Sequence, residues 1–181
     1  DVLHRLLSSG SYARDTLHPT LSPSMDISVS SNLERLLFDL YERDGAAISG
    51  LMDDFSCGPV SLSPAALSGA RKLFASHRVD DEATLACIAQ VDADCEYLLD
   101  PHSAIGYAAA RRITLPQDIP RITLATAHPA KFPDAITRAL PGHPPSLPAH
   151  LADLYEREER YSVHPNELGA VQRAMADALG R

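Results

Sequence analysis

Length, composition and charge narrow the classes of protein to which this chain can belong. With 181 residues, 45% of them hydrophobic, it can bury one good core, and its net charge of -8 repels nucleic-acid phosphates and anionic lipid. No apolar run approaches the roughly 20 residues that cross a bilayer, and the opening residues lack a signal-peptide pattern. We therefore expect a cytoplasmic protein that binds neither nucleic acid nor membrane.

Apolar residues recur at helical spacing over most of the chain, which predicts a mostly helical structure. Capping residues, glycines and prolines mark where these stretches begin and end. Ser63-Pro64 and Asp100-Pro101 each place an N-cap before a proline at the first helical position. The predicted helices, in chain order, cover residues 1–9 (with Leu3, Leu6 and Leu7 on one face and a stop at Gly10), 32–44 (with a stop at Gly45), 46–53, 64–77, 81–93, 101–111, a stretch from about Pro133, 148–159 and 166–179.

Strands and connections are few. RITLAT, residues 121–126, is the most convincing strand because it follows a proline and carries β-branched residues, and DISVS, residues 26–30, is a weaker one. FSCGPVSLS, residues 55–63, is predicted to be a linker. The proline-rich stretch 141–148 is predicted to be an extended surface connection.

The segment SPSMDISVSSNLERLLF, residues 22–38, is the first candidate for chemistry. Ser30, Ser31 and Asn32 crowd the start of the best-defined helix, and Arg35 lies about one turn further on. Free backbone N–H groups and the helix dipole favour an anion at such a place. The pattern therefore indicates a phosphate pocket.

The segment LATAHPAKF, residues 124–132, is the second candidate. It ends a predicted strand with a hydroxyl, an imidazole and an ammonium, on Thr126, His128 and Lys131. Open α/β sheets bind ligands at the carboxyl ends of their strands. We expect these polar groups to face a ligand.

Both segments have simpler interpretations. Ser31 or Asn32 could only cap the helix while the arginine pairs with Glu34 or Asp39. The second segment could be an ordinary turn in which His128 breaks the strand and the lysine is solvated.

The cysteines, the histidines and the segment at residues 100–110 give weaker indications of chemistry. The three cysteines, Cys57, Cys87 and Cys95, have no metal or redox spacing and are predicted to be buried free thiols. No metal site is predicted, since half of the histidines precede proline and no pair has zinc-helix spacing. DPHSAIGYAAA, residues 100–110, is predicted to be a capped helix with a small-residue face, and a Ser/His/Asp hydrolase is disfavoured because G-x-S-x-G is absent.

Three long segments in series nevertheless resemble the threonine synthase family. They are SPSMDISVSSNLERLLF, DPHSAIGYAAA and LATAHPAKFPDAI, preceded by the opening DVLHRLLSSGSY. The resemblance spans essentially the whole chain, is least distinctive after Pro141, and indicates the C-terminal portion of such a protein.

The resemblance implies an α/β fold, the three-layer tryptophan synthase β-like fold of type-II pyridoxal-phosphate (PLP) enzymes, with the cofactor between two lobes. This chain would hold an incomplete copy, mostly helical with few strands. Residues 1–45 and 113–140 are then expected to belong to the catalytic domain. Residues 46–112 are expected to be a helical insertion, and 141–181 a C-terminal helical extension.

The implied activity is that of a carbon–oxygen lyase that uses PLP to convert O-phosphohomoserine and water to L-threonine and phosphate. Thr126 is then similar to the hydroxyl residue that hydrogen-bonds the pyridine nitrogen. The helix entrance at residues 30–35 becomes a clamp for the substrate phosphate, and His128 and Lys131 become candidates to line the active site. The alternative is a non-catalytic threonine synthase-like protein that binds a phosphorylated ligand or a partner.

The chain departs from the family pattern in its lysines. The family carries its Schiff-base lysine and its cofactor-phosphate loop upstream of every segment found here, and this chain has only Lys72 and Lys131. We therefore expect no catalytic residue of that kind in the chain, and no turnover by the chain alone. Its natural partner is expected to be the missing N-terminal part of the same protein. Uncovered sheet edges and apolar faces would make the isolated chain self-associate.

Overall fold

The architecture is mostly helical. The computed structural model describes residues 1–116 and 118–180, which form eight α-helices and one two-stranded sheet in two compact units, Asp1–Ser146 and Leu147–Arg181. The helices are α1 Val2–Ser9, α2 Leu33–Leu40, α3 Gly45–Cys57, α4 Pro64–Leu73, α5 Asp81–Cys95, α6 Pro101–Arg111, α7 Pro133–Ala139 and α8 Leu168–Ala178, and the strands are β1 Ser11–Tyr12 and β2 Val60–Ser61. Short 3-10 turns cover Pro23–Met25, Pro129–Lys131, Ala149–Leu151 and Leu154–Glu156.

The first core of the larger unit gathers α1 to α4 around the small sheet. Strand β1 pairs antiparallel with β2, with Tyr12 opposite Val60. The Tyr12 ring stacks on Phe55 of α3, with centroids 4.1 Å apart and planes 3° from parallel. The buried members of this core are Val2, Leu6, Tyr12, Leu33, Leu37, Ile48, Phe55, Val60, Leu62 and Ala66.

The turn between α1 and β1 requires glycine. Gly10 has a φ of 81°, the left-handed conformation that ends many helices, and its N–H bonds to the carbonyl of Leu6. A Cβ at this position would lie 2.8 Å from Leu67 Cδ2. Arg71 of α4 donates to the carbonyls of Leu7 and Ser8, so that α4 completes the hydrogen bonding at the end of α1.

The second core of the larger unit joins α5, α6 and α7. Its buried members are Ile88, Val91, Leu99, Ala104 and Ile136. Cys87 lies beside it, with its thiol 3.5 Å from the carbonyl oxygen of Ala104. Burial raises the pKa of the Cys87 thiol, and the charge of Arg111 opposes part of that rise.

The smaller unit holds two 3-10 turns and α8. An exposed ion pair joins Arg157 to Asp153 at 2.6 Å, and the hydrogen bond from Arg157 lowers the pKa of that carboxyl. Leu168, Met175 and Leu179 lie on α8 or at its end and are exposed.

The capped helices confirm their predictions. The side chain of Ser63 accepts from the N–H of Ala66 at the start of α4, and that of Asp100 accepts from the N–H of His102 at the start of α6. The stop at Gly10 is also confirmed. In α1, however, Val2 and Leu6 are buried while Leu3 is 41% exposed, so the predicted apolar face is rotated.

Several element boundaries were wrong. Helix α2 ends at Leu40, because Glu42 and Arg43 adopt left-handed conformations, and Gly45 begins α3 instead of ending α2. Helix α4 stops at Leu73, short of residue 77, and the helix predicted over 148–159 is two separate 3-10 turns.

The linker predicted over residues 55–63 was also wrong. Its first three residues continue α3, and Val60–Ser61 forms β2. Phe55, Val60 and Leu62 are core residues. Gly58 and Pro59 form a tight connection between α3 and β2. A strand can form directly after it because β1, distant in sequence, is available to pair with β2.

Neither predicted strand is paired. Residues 121–126 and 26–30 have no ladder within the part of the chain that the structure describes. Ile122 and Leu124 are 82% and 74% exposed, so the β-branched pattern of 121–126 is present without a neighbouring strand to bond to.

Two of the three cysteines lie at the surface. Cys57 and Cys95 are exposed free thiols, contrary to the prediction that they are buried. Over residues 1–116 and 118–180, no helix is both long and apolar enough to cross a membrane. The division into catalytic domain, insertion and extension stays a prediction.

Leu37→Ala tests the first core. The side chain has 0% exposure, so its truncation should lower the free energy of unfolding by about 2–5 kcal/mol. Leu3→Ala, the same change at an exposed residue, should lower it by about 0.5 kcal/mol. Urea unfolding followed by far-UV circular dichroism measures both, and equal losses would contradict the packing described here.

Candidate functional site

The predicted phosphate pocket lies at the start of α2. No side chain caps this helix, and the N–H of Leu33 bonds to the carbonyl of Ser30. Arg35 reaches back and donates to Asn32 Oδ1 at 2.6 Å. The capping alternative therefore does not describe the structure, and Arg35 bonds to neither of the two carboxylates considered for it. The next amides of the first turn are left without a side-chain acceptor.

Strand β1 holds the approach to this helix entrance. The hydroxyl of Tyr12 accepts from the N–H of Ser30 at 3.0 Å and lies 3.4 Å from its carbonyl oxygen. Tyr12 is 1% exposed. The position of Ser30 is therefore tied to the first core, while Ser31, Asn32 and Arg35 are exposed.

Thr126 lies beside the start of α6. Its N–H donates to Ser103 Oγ at 2.9 Å, and its side chain is exposed. Residues 121–126 run back along α6, since a Cβ on Gly106 would lie 3.6 Å from Thr123 Cγ2 and Arg121 donates to the carbonyl of Ile113.

A buried carboxylate organises the start of α6. Asp100 is 1% exposed, and its Oδ1 lies 2.9 Å from both the N–H and Nδ1 of His102. The hydroxyl of Ser103 donates to its Oδ2. The Phe132 ring covers His102, with ring centroids 4.7 Å apart. These four residues form a single polar cluster closed by an aromatic ring.

The same cluster contacts the segment that leads to α2. The N–H of Ser24 donates to Nε2 of His102 at 3.3 Å. Around it, the backbone and hydroxyl of Thr20 both bond to Asp26, and the Thr20 hydroxyl contacts that of buried Ser22. The structure thus connects both predicted segments, 22–38 and 124–132, to the N-terminus of α6.

This cluster is not arranged as a hydrolytic triad. Ser103 bonds to the carboxylate and not to the imidazole, so His102 has no contact through which to remove its proton. Ser103 is also only 2% exposed. Its hydroxyl oxygen accepts a hydrogen bond from the backbone N–H of Thr126, which is a structural role.

The contacts of His128 and Lys131 lie within their own turn. His128 Nδ1 accepts from the N–H of Ala130 and caps the 3-10 turn that follows. Lys131 is exposed, with its Nζ 5.8 Å from the centroid of the Phe132 ring. The turn interpretation describes both side chains, and their role in lining an active site stays a prediction.

An open groove of about 750 Å³ lies in the larger unit, between α1, residues 15–28 and residues 75–81, and its lining includes Ser22, Ser24 and Asp26 of the 22–38 segment. Five aspartates line it, but so do Arg5, Arg78 and three histidines, so side chains of both signs of charge face the groove. Among the described residues, none of the predicted site residues lines this groove.

Sequence reasoning missed Asp100, His102 and Ser103 as site-organising residues. DPHS was interpreted as a helix cap only. The available signal was the coincidence of a carboxylate, an imidazole and a hydroxyl in the first turn of a helix whose other residues are small. A cap on the protein surface needs one acceptor, whereas this one is surrounded by donors.

Known proteins that are similar to this chain indicate its family. A family model described as "Threonine synthase, C-terminal" matches residues 103–175. The chain is 55% identical to the threonine synthase of Pseudomonas aeruginosa over 173 residues, which are 95% of this chain and 37% of that protein. The chain belongs to the threonine synthase family. It corresponds to the C-terminal portion, as the resemblance indicated.

Two threonine synthase structures confirm the predicted fold class. The PLP-bound threonine synthase from Brucella melitensis is 46% identical, with a TM-score of 0.88 over 98% of this chain and 38% of that one. The yeast threonine synthase is 32% identical, with a TM-score of 0.82 over 99% of this chain and 40% of that one. The chain therefore spans about two-fifths of the length of these threonine synthases.

Tyr12→Phe tests the hold on the helix entrance. The stacked ring is kept, but the N–H of Ser30 loses its acceptor, which should lower the free energy of unfolding by about 1 kcal/mol. Hydrogen exchange in residues 29–33 should become faster. Tyr41→Phe is the matched control, because the Tyr41 hydroxyl accepts from the N–H of Ser63 at 3.0 Å. An equal change in exchange at residues 29–33 in both variants would show that Tyr12 does not hold this segment.

Proposed function

We propose that this chain is the C-terminal part of a PLP-dependent threonine synthase that converts O-phosphohomoserine and water to L-threonine and phosphate. The observation that carries the proposal is the 55% identity to a threonine synthase over 95% of the chain. The geometry supports it, because the segments expected to meet cofactor and substrate are both bound to the start of α6. A cytoplasmic location goes with this proposal.

The donor chemistry of Thr126 fits the cofactor. PLP, when bound, supplies the electron sink that loss of substrate protons requires. Thr126 offers an exposed hydroxyl on a backbone fixed by Ser103, and a neutral hydroxyl can hydrogen-bond a pyridine nitrogen. Such a partner disfavours full protonation of the ring, unlike a carboxylate.

The start of α2 is the proposed site for the substrate phosphate. Ser30, Ser31 and Asn32 precede amides that no side chain caps, and the guanidinium of Arg35 is held beside them. Free amides at a helix N-terminus and a guanidinium both favour a phosphate group. We place this site and Thr126 on two walls of one cleft, with His128 and Lys131 near its rim.

The remaining wall is proposed to come from the rest of the polypeptide. Ile122 and Leu124 alternate with Thr123, which faces α6. Their exposed side chains, and a backbone that no strand of the described residues pairs with, form one strand-like edge. In the full-length protein we expect this edge to be covered by the N-terminal part. In the isolated chain it favours self-association.

The lysines support a division of labour within the polypeptide. Lys72 is exposed near the end of α4, and Lys131 is exposed beside Phe132. Neither lies in the kind of desolvated pocket that activates a nucleophilic lysine. The Schiff-base lysine is therefore proposed to lie in the N-terminal part, and the isolated chain to be inactive.

A non-catalytic threonine synthase-like protein is the other candidate. The described residues offer no observation that favours it. The identity to a protein named threonine synthase is spread over nearly the whole chain.

The full-length protein with PLP should release phosphate and threonine from O-phosphohomoserine. Coupled phosphate detection and amino-acid analysis measure the two products, which should appear in equal amounts. A full-length protein that binds O-phosphohomoserine without forming either product would support the non-catalytic alternative.

The isolated chain is the control for that assay. It should show no turnover, and borohydride reduction with PLP followed by peptide mapping should label neither Lys72 nor Lys131 specifically. Stoichiometric labelling of Lys131 would overturn the proposed division between the two parts of the polypeptide.

Arg35→Ala tests the phosphate site in the full-length protein. Loss of a charged donor should weaken competitive inhibition by inorganic phosphate roughly tenfold. Arg43→Ala is the matched control, because Arg43 also lies beside α2 and its guanidinium is 3.0 Å from Asp39. Equal inhibition constants for the two variants would place the substrate phosphate elsewhere.

A further inference from the structure

Asp100 differs from the other aspartates that cap helices in this chain. Asp44 and Asp80 are exposed and accept only backbone N–H groups, at the starts of α3 and α5. Asp100 is buried and accepts from two side chains as well as from a backbone N–H. A buried carboxylate is tolerated only when donors surround it, so the surroundings of Asp100 are built for a charge.

An ionised Asp100 sets the direction of every hydrogen bond around it. A carboxylate only accepts, so His102 donates from Nδ1, and a neutral His102 is then an acceptor at Nε2. That is the nitrogen to which the N–H of Ser24 points. Ser103 likewise uses its proton on Asp100, which leaves its oxygen lone pairs to accept the N–H of Thr126.

The result is a network of hydrogen bonds with two arms. We call it the relay, since each arm connects a backbone amide to the carboxylate through one side chain. One arm runs from the N–H of Thr126 through the Ser103 hydroxyl to the carboxylate. The other runs from the N–H of Ser24 through the imidazole of His102 to the same carboxylate. The Phe132 ring lies against the imidazole of His102 in that arm. Both arms end on backbone amides of segments that are far apart in sequence.

We propose that Asp100, His102 and Ser103 are positioning residues that set the Thr126 backbone and the 22–26 turn relative to each other. This inference rests on the proposed function, in which Thr126 contacts the cofactor and residues 22–38 lead to the substrate phosphate. The three residues touch neither ligand. They act through the two amides they hold, by fixing the position of the Thr126 backbone from which the hydroxyl reaches the pyridine nitrogen.

Asp100→Asn in the full-length protein separates positioning from capping. Asparagine caps helices as well as aspartate does, so α6 should still begin at Pro101. Its amide group cannot accept on both atoms, so one arm of the relay loses its acceptor. Hydrogen exchange of the cofactor-free protein should be faster in residues 22–26 or 124–128, roughly tenfold, and the dissociation constant for PLP should rise by a similar factor.

Asp80→Asn is the matched control at an exposed cap. It should leave exchange at both segments and the PLP dissociation constant unchanged. If Asp100→Asn behaves like Asp80→Asn in both measurements, Asp100 is only a cap and the proposal is overturned.

Ser103→Ala tests the Thr126 arm with a milder change. It removes one hydroxyl, and the amide of Thr126 should exchange faster while residues 22–26 keep their protection. Ser103→Thr retains the hydroxyl and should restore both the protection and the PLP affinity. Ser63→Ala, at the N-cap of α4, should lower stability without either effect. Equal loss of PLP affinity in Ser103→Ala and Ser63→Ala would mean that only general stability is involved.

The exchange measurement distinguishes this inference from the proposed function, since it needs no cofactor. Faster exchange at Thr126 in a full-length protein that does not bind PLP would support the relay and refute the proposed function. Unchanged exchange in a protein that binds PLP and makes threonine would refute the relay alone.

Discussion

The burial of one carboxylate at the start of α6 is the constraint on which the candidate site depends. The carboxyl group of Asp100 is buried, and the donors of His102 and Ser103 take the place of water around it. Those donors then have fixed orientations, and each still has an atom that can accept a hydrogen bond, Nε2 of His102 and Oγ of Ser103. The acceptors are used by amides of Ser24 and Thr126, so an electrostatic requirement in the core becomes a geometric one at the surface.

The rest of the larger unit serves to hold this arrangement still. The second core packs α5, α6 and α7 together and fixes the helix that carries the carboxylate. The first core does the same for α2, through the stacked pair Tyr12–Phe55 and the hydrogen bond from Ser30 to the Tyr12 hydroxyl. The candidate phosphate site and the candidate cofactor contact are therefore each supported by a different core, with the 22–30 segment between them.

Family membership and geometry support the same function by separate routes. The identity to threonine synthases says which reaction to expect, but it does not say what each residue of this chain contributes. The contacts show what this chain offers for the proposed function: an exposed Thr126 whose backbone N–H is held by Ser103, uncapped amides beside Arg35, and exposed strand-like residues at Ile122 and Leu124 that have no partner among the described residues. The chain spans about two-fifths of the length of these relatives, and the proposal that the rest of the polypeptide covers this edge rests on that difference in length.

Local signals in the sequence were enough to determine the capped helices, since Ser63-Pro64 and Asp100-Pro101 act within a few residues of themselves. The mostly helical class and the family also followed from the sequence, because periodicity and long motifs are properties of contiguous residues. The tertiary structure alone decided that residues 55–63 contain β2 and not a linker, since its partner β1 lies about fifty residues earlier. It also decided that Asp100, His102 and Ser103 connect two distant segments and do more than cap α6. Whether a carboxylate only caps a helix or accepts from several side chains depends on its burial, and burial is set by residues distant in the chain.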